Sequence, residues 1–280
     1  TPATIAMIDG DVHLGLTDEL LERIAQSTDI HKATTRDLAV FAAQKKSAAT
    51  TVAATAHLAH HAGISFFATG GLGGVHRGDG FDESADLRAL SITPIIIVCA
   101  GVKSILDVPA TLERLETLAV PVLGFKTNKF PGFYLTESGY EIEHRVDSPE
   151  AIASIWKNRA AVNTSDSAII VTNPVKIELD RTLHDKLLHD GLAEADAKHI
   201  TGMRTAGTTA MAADRLLPKR ALWQTELIAY PQWCAISIGR YSPYNNPATP
   251  NVAWIFWYLT AGLSTMPLDS SSTMPRWISC

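Results

Sequence analysis

Two features of this chain suit chemistry, a glycine run flanked by hydrogen-bond donors and a lysine just past a strongly apolar segment. The run is Thr69-Gly70-Gly71-Leu72-Gly73-Gly74-Val75-His76-Arg77-Gly78. Its glycines let successive backbone N–H groups converge on an anion, and Thr69, His76 and Arg77 add donors around it. The same composition serves a tight loop that needs positive φ. The spacing is neither a Walker loop nor a dinucleotide fingerprint. Lys103 lies in Cys99-Ala100-Gly101-Val102-Lys103-Ser104, after residues 95–99 (IIIVC). A lysine at the lip of a dry pocket loses hydration, which lowers its pKa and frees a nucleophilic amine; the alternative is a solvated lysine past a strand.

Other polar clusters are more ambiguous. Phe81-Asp82-Glu83-Ser84-Ala85-Asp86 carries three acids in five residues. They could bind a hard divalent cation, or cap a helix starting near Ser84; spacing alone favours the cap. Lys32, in His31-Lys32-Ala33-Thr34, suits a phosphate partner or an ordinary surface charge. His57, His60 and His61 fall in a helical run where only His57 and His61 share a face, so they read as packing or surface residues. Cys99, Cys234 and Cys280 match no zinc pattern.

The elements that position these groups alternate. Residues 4–8 (TIAMI), 64–68 (ISFFA), 95–99 (IIIVC), 120–125 (VPVLGF) and 168–172 (AIIVT) read as buried strands. Helices are expected over 17–25 behind a Thr17 cap, over 50–61 with Gly63 as the terminating glycine, and from Ser148-Pro149-Glu150 onward. Apolar strands alternating with helices imply an α/β fold with a mostly parallel sheet covered on both faces. In such folds ligands sit beyond the carboxyl ends of the strands, here 69–78, 101–103 and Asn173. After about Gly202 the pattern changes, and Trp223, Trp233, Trp254, Trp257 and Trp277 lie in a stretch rich in Pro, Ser and Tyr. Residues 253–263 read there as a short apolar helix. The division expected is an α/β domain over 1–202 and a divergent segment over 203–280.

A chain of 280 residues can bury a sizeable core, and its net charge of −5 excludes a general basic face for nucleic acid. Any phosphate must be gripped locally. No apolar stretch is long enough to span a bilayer, and no secretory signal opens the sequence, so no membrane or nucleic-acid partner and a cytoplasmic location are expected.

Taken together, ATTVAATAHLAHHAGISFFATGGLGGVHRG (49–78), FDESADL (81–87) and VCAGVKSILD (98–107) resemble the pseudouridine-5'-phosphate glycosidase, or indigoidine synthase A, family. PATIAMIDG and RDL add to the likeness, and the segments keep the family's order across roughly 2–174. The resemblance implies a three-layer α/β/α fold, a homotrimer, and reversible cleavage of pseudouridine 5'-phosphate to uracil and ribose 5-phosphate. It implies that Lys103 forms an imine with the opened sugar, and that Asp82 holds a divalent metal, typically Mn2+. It implies substrate binding by Lys32, Val52, Ser84, Ala85 and Asp86, with Thr69 and His76 lining the pocket.

The sequence departs from the family pattern twice. The family's general acid is a glutamate in an N-terminal Glu-Ser-Thr segment, which is found nowhere here; Glu83, Asp86 and Asp107 are the candidate replacements. The family's asparagine-rich helix has no counterpart after Gly202. An N-terminally truncated chain is therefore expected, either active through a substitute acid or a neighbouring subunit, or a catalytically impaired remnant that still binds sugar phosphate.

Overall fold

The computed structural model describes residues 2–78 and 81–200 and the backbone of 252–254. Its strands are β1 (Pro2–Ile8), β2 (Asp11–Leu14), β3 (His31–Ala33), β4 (Ala48–Thr50), β5 (Phe66–Ala68), β6 (Val75–His76), β7 (Ile96–Cys99), β8 (Leu106–Asp107), β9 (Val122–Phe125), β10 (His144–Val146), β11 (Ile169–Thr172) and β12 (Val252–Trp254). The helices are α1 (Asp18–Gln26), α2 (Leu38–Ala43), α3 (Val52–His61), α4 (Ala85–Leu90), α5 (Val108–Thr117), α6 (Pro149–Ala161) and α7 (Arg181–Ala197).

The main sheet runs β10-β9-β11-β7-β5-β12-β1-β4-β3, with β2 added to β1. Pairing is parallel from β10 through β1, while β1 meets β2 and β4 in antiparallel register. The five strands expected from the sequence are all present. Their continuous apolar runs are explained by burial on both faces. Ile97 and Cys99 pack under α3, α4 and α5 with Phe67, Ala56, Leu87 and Leu115. Their neighbours Ile96 and Val98 point the other way, into a cluster with Ile152 of α6. Successive residues of one strand thus fill two cores, which makes the three layers.

Helix starts follow the capping residues. Thr17 Oγ1 accepts from Leu20 N, Thr51 Oγ1 from Ala54 N, and Ser148 Oγ from Ala151 N. Gly63, at φ 76°, ends α3. One expectation is corrected. Val252–Trp254 form β12, parallel to β1 and β5 in mid-sheet, where residues 253–263 read as the start of a helix. A three-residue strand carries too few residues for alternation to register in sequence. Residues 255–263, Cys234, Cys280 and the remainder of the 203–280 segment lie outside the described residues.

Candidate active site

The site is built where β5 and β7 end. Past Cys99 the chain turns through Gly101, whose φ of 98° is left-handed and whose added Cβ would meet the Pro131 carbonyl. Glycine is required there on both counts. The turn delivers Lys103, and backbone bonds fasten it to the glycine-rich loop: Lys103 N donates to Leu72 O at 3.1 Å and Leu72 N to Gly101 O at 2.9 Å. Burial holds the Lys103 ammonium below its ordinary pKa, against the opposing pull of Asp86.

Asp86 ties the parts together. It is 3% exposed; its Oδ1 accepts from Ala53 N and its Oδ2 from Gly73 N, both at 2.8 Å. One carboxylate thereby joins α4, the first turn of α3 and the glycine-rich loop. Lys32 reaches the same region from β3, which pairs with β4 immediately before α3. Burial, and then repulsion from Lys103, lower the Lys32 pKa to about 8, while Asp86 opposes the shift. The His76 imidazole is likewise held below its ordinary value by burial; Asp82 opposes this, and Lys103 and Lys32 add to it. These mutual effects bring Lys32, His76, Asp82, Asp86 and Lys103 into one electrostatic cluster from four separate stretches of sequence.

The other predicted site residues frame the cluster. Val52 is buried as the first residue of α3, and Thr69 is buried at the start of the loop. Ser84 caps α4, its Oγ accepting from Asp86 N at 3.2 Å, and Ala85 is the exposed first residue of that helix. Cys99 is fully buried and its thiol is pushed up to about 12, so it offers no nucleophile. His57 and His61 meet edge-on along α3 with centroids 4.4 Å apart.

Part of the glycine-rich loop turns its amides inward. Thr69 N donates to Val98 O, Leu72 N to Gly101 O, Gly73 N to Asp86, Val75 N to Thr111 Oγ1 and His76 N to Asp82 O. These donors are consumed inside the protein. Nor do Gly70, Gly71, Gly73 and Gly74 adopt positive φ. Three of them are small because neighbours press on the backbone: the Phe133 ring at Gly71, Ser84 and Asp86 at Gly73, and Thr111 at Gly74. Arg77 also turns inward, donating through Nε to Ile105 O at 3.2 Å and through its guanidinium to Ser104 O at 3.3 Å. It braces the segment that follows Lys103.

A helix does start behind Ser84 with Asp86 in its first turn, as the capping alternative has it, but the acids themselves bond elsewhere. Glu83 forms a two-pronged pair with Arg114 at 2.8 and 3.0 Å. Asp107 caps α5, its Oδ1 accepting from Ala110 N at 3.0 Å. Among the described residues no three His, Cys, Asp or Glu side chains group as a metal cage. With Glu83 and Asp86 committed, the donor set fits only a hard cation attached through Asp82 and otherwise by water.

Sequence reasoning passed over Phe133 and Tyr134. Their loop packs against both flanks of Lys103 by contacts between residues distant in sequence. The only local sign was Gly101, a glycine just past a strand where another backbone approaches closely.

The indigoidine synthase A like protein model matches residues 1–214. The chain is 51% identical over 219 residues to a pseudouridine-5'-phosphate glycosidase of Streptomyces griseus, covering 77% of this chain and 67% of that protein. It is 50% identical over 205 residues to one of Saccharopolyspora erythraea, covering 72% and 67%. The crystal structure of the prealnumycin C-glycosynthase AlnA in complex with ribulose 5-phosphate superposes with a TM-score of 0.72 at 34% identity, over 81% of this chain and 77% of that one. The chain belongs to the indigoidine synthase A-like family.

Proposed function

We propose that this protein reversibly cleaves the C–C glycosidic bond of pseudouridine 5'-phosphate, giving uracil and ribose 5-phosphate, with Lys103 as the nucleophile. The observation that carries the proposal is the Lys103 amine, depressed in pKa by burial beside Asp86 and close enough to Lys32 to repel it. The glycosidase names of the two relatives and the pentose phosphate bound to AlnA support the choice of substrate.

A C–C glycosidic bond has no leaving oxygen to protonate, so the sugar must be turned into an electron sink. The Lys103 amine attacks C1′, the C1′–O4′ bond opens, and O4′ takes the proton that the amine sheds. Uracil C5 accepts a proton from solvent. The nitrogen lone pair then forms C1′=N as the C1′–C5 bond breaks and its electrons return to the uracil ring. Water hydrolyses the iminium, releasing ribose 5-phosphate and restoring the amine. The lowered pKa keeps a reactive fraction of the amine uncharged near neutral pH. Lys32 complements the phosphate. Thr69, His76, Val52, Ser84, Ala85 and Asp86 shape and fix the sugar side, where positioning lowers the barrier.

A divalent cation, Mn2+ by the family resemblance, would be held through Asp82 and would supply Lewis-acid polarisation of a substrate oxygen. Of the candidate acids, Glu83 is committed to Arg114 and Asp86 to two backbone amides, while Asp107 accepts one amide through a single oxygen. The assembly proposed is a homotrimer in the cytoplasm, and sedimentation should return three times the chain mass. Uracil release from pseudouridine 5'-phosphate tests the activity. Release by the wild type and its loss in Lys103→Ala support the proposal; no release alongside retained ribose 5-phosphate binding favours the impaired remnant.

A further inference from the structure

The loop after β9 is fastened to the Lys103 segment on both sides of the lysine. Gly101 forms a bridge with Gly132, and Ser104 Oγ donates to the Gly132 carbonyl at 3.1 Å. Phe133 N donates to Ala100 O at 3.0 Å, and Leu179 N reaches Tyr134 O at 2.9 Å. The anchored loop holds Phe133 at φ 69°, a left-handed conformation that a glycine would adopt at lower cost. The Phe133 ring lies over Gly71, and Tyr134 meets it edge-on with centroids 4.3 Å apart. A ring that served only to plug the core would be fully buried, as Phe130 is at 0% exposure. Phe133 and Tyr134 are instead half-buried, on the loop fastened to the Lys103 segment.

We propose that Phe133, braced by Tyr134, is the stacking wall for the planar nucleobase, and so sets specificity for an aromatic aglycone next to the Lys103 amine. The inference rests on the C-glycosidase reading and names the aglycone side of that site. A planar ring laid on Phe133 keeps its π-face in contact while its edges stay available to polar groups, and it displaces water from the carbon to be protonated. Stacking of a base on an aromatic side chain is worth enough to change affinity about tenfold.

Borohydride trapping of ribose 5-phosphate on Lys103 serves as the control, because it needs no base. The synthetic direction, at saturating ribose 5-phosphate, reports on uracil. Phe133→Leu should raise the uracil KM about tenfold and leave trapping unchanged. Dihydrouracil, which keeps the polar edges but is neither flat nor aromatic, should inhibit the wild type about tenfold more weakly than a planar pyrimidine such as thymine. That preference should collapse in Phe133→Leu. An unchanged uracil KM, or equal losses of trapping and uracil use, would overturn the proposal. Should Phe133→Leu not fold, magnetisation transfer from phenylalanine ring protons to uracil H6 in otherwise deuterated wild-type protein decides: transfer supports the wall, and its absence overturns it. If wild-type trapping itself fails, the glycosidase reading fails first, which keeps the two claims distinct.

Discussion

Burial strips hydration from Lys32 and Lys103 and draws each below the ordinary lysine value, and Lys103 lowers Lys32 further by repulsion. Lys32 illustrates the consequence for stability. Its folded pKa is about 8 against 10.5 for the unreacted side chain. Below about 8 the lysine is charged in folded and unfolded chains alike, and the folded state bears the full cost of burying that charge. Between about 8 and 10.5 the unfolded chain binds more protons, so stability rises with pH; above 10.5 the cost has gone. Lys32→Met is therefore predicted to be more stable than wild type in urea at pH 7, with the gap closing by pH 10.5, while ribose 5-phosphate binding weakens. A gap that widens with pH would contradict the assignment. Asp86 has the opposite character. Removing it in Asp86→Ala leaves the buried amides of Ala53 and Gly73 without partners, a cost of roughly 2–5 kcal/mol for the two, measurable by chemical unfolding.

At the scale of elements, the sequence carried the five most apolar strands and several helix starts but not their neighbours. Residues 95–99 were legible because a strand buried on both faces must be apolar throughout, and Thr17 and Ser148 signal their helices by local chemistry; the helix expected over 50–61 starts two residues later, behind Thr51. The glycine-rich loop was legible as special but misread in detail. The reason it is glycine-rich lies in Ser84, Asp86, Thr111 and Phe133, between 11 and 62 residues away along the chain. No local pattern encodes such contacts. Gly73→Ala tests this reading: its Cβ would fall 2.6 Å from Asp86 Oδ2. The expected loss is about 1–3 kcal/mol in unfolding free energy, with a fall in imine trapping as Asp86 is displaced. A variant of wild-type stability would show that the loop yields freely. The short strands β3 and β4, which deliver Lys32, span only three residues each and left no sequence signature.

Across the whole molecule, the fold gathers groups far apart in the chain, Lys32 from β3 at the end of the strand order and Lys103 from beyond β7 within it. β12 joins the two halves of the main sheet by pairing with both β1 and β5. A chain ending at residue 202 lacks this strand, and its thermal unfolding is predicted to be broad and non-cooperative; a sharp transition like that of the full chain would contradict the placement. The account as a whole turns on the chemistry of one amine. Ribose 5-phosphate and borohydride, followed by peptide mapping, test it most directly. The prediction is a single reduced sugar-phosphate adduct on Lys103, absent from Lys103→Ala. An adduct on Lys32, or none on the folded wild-type protein, would contradict it.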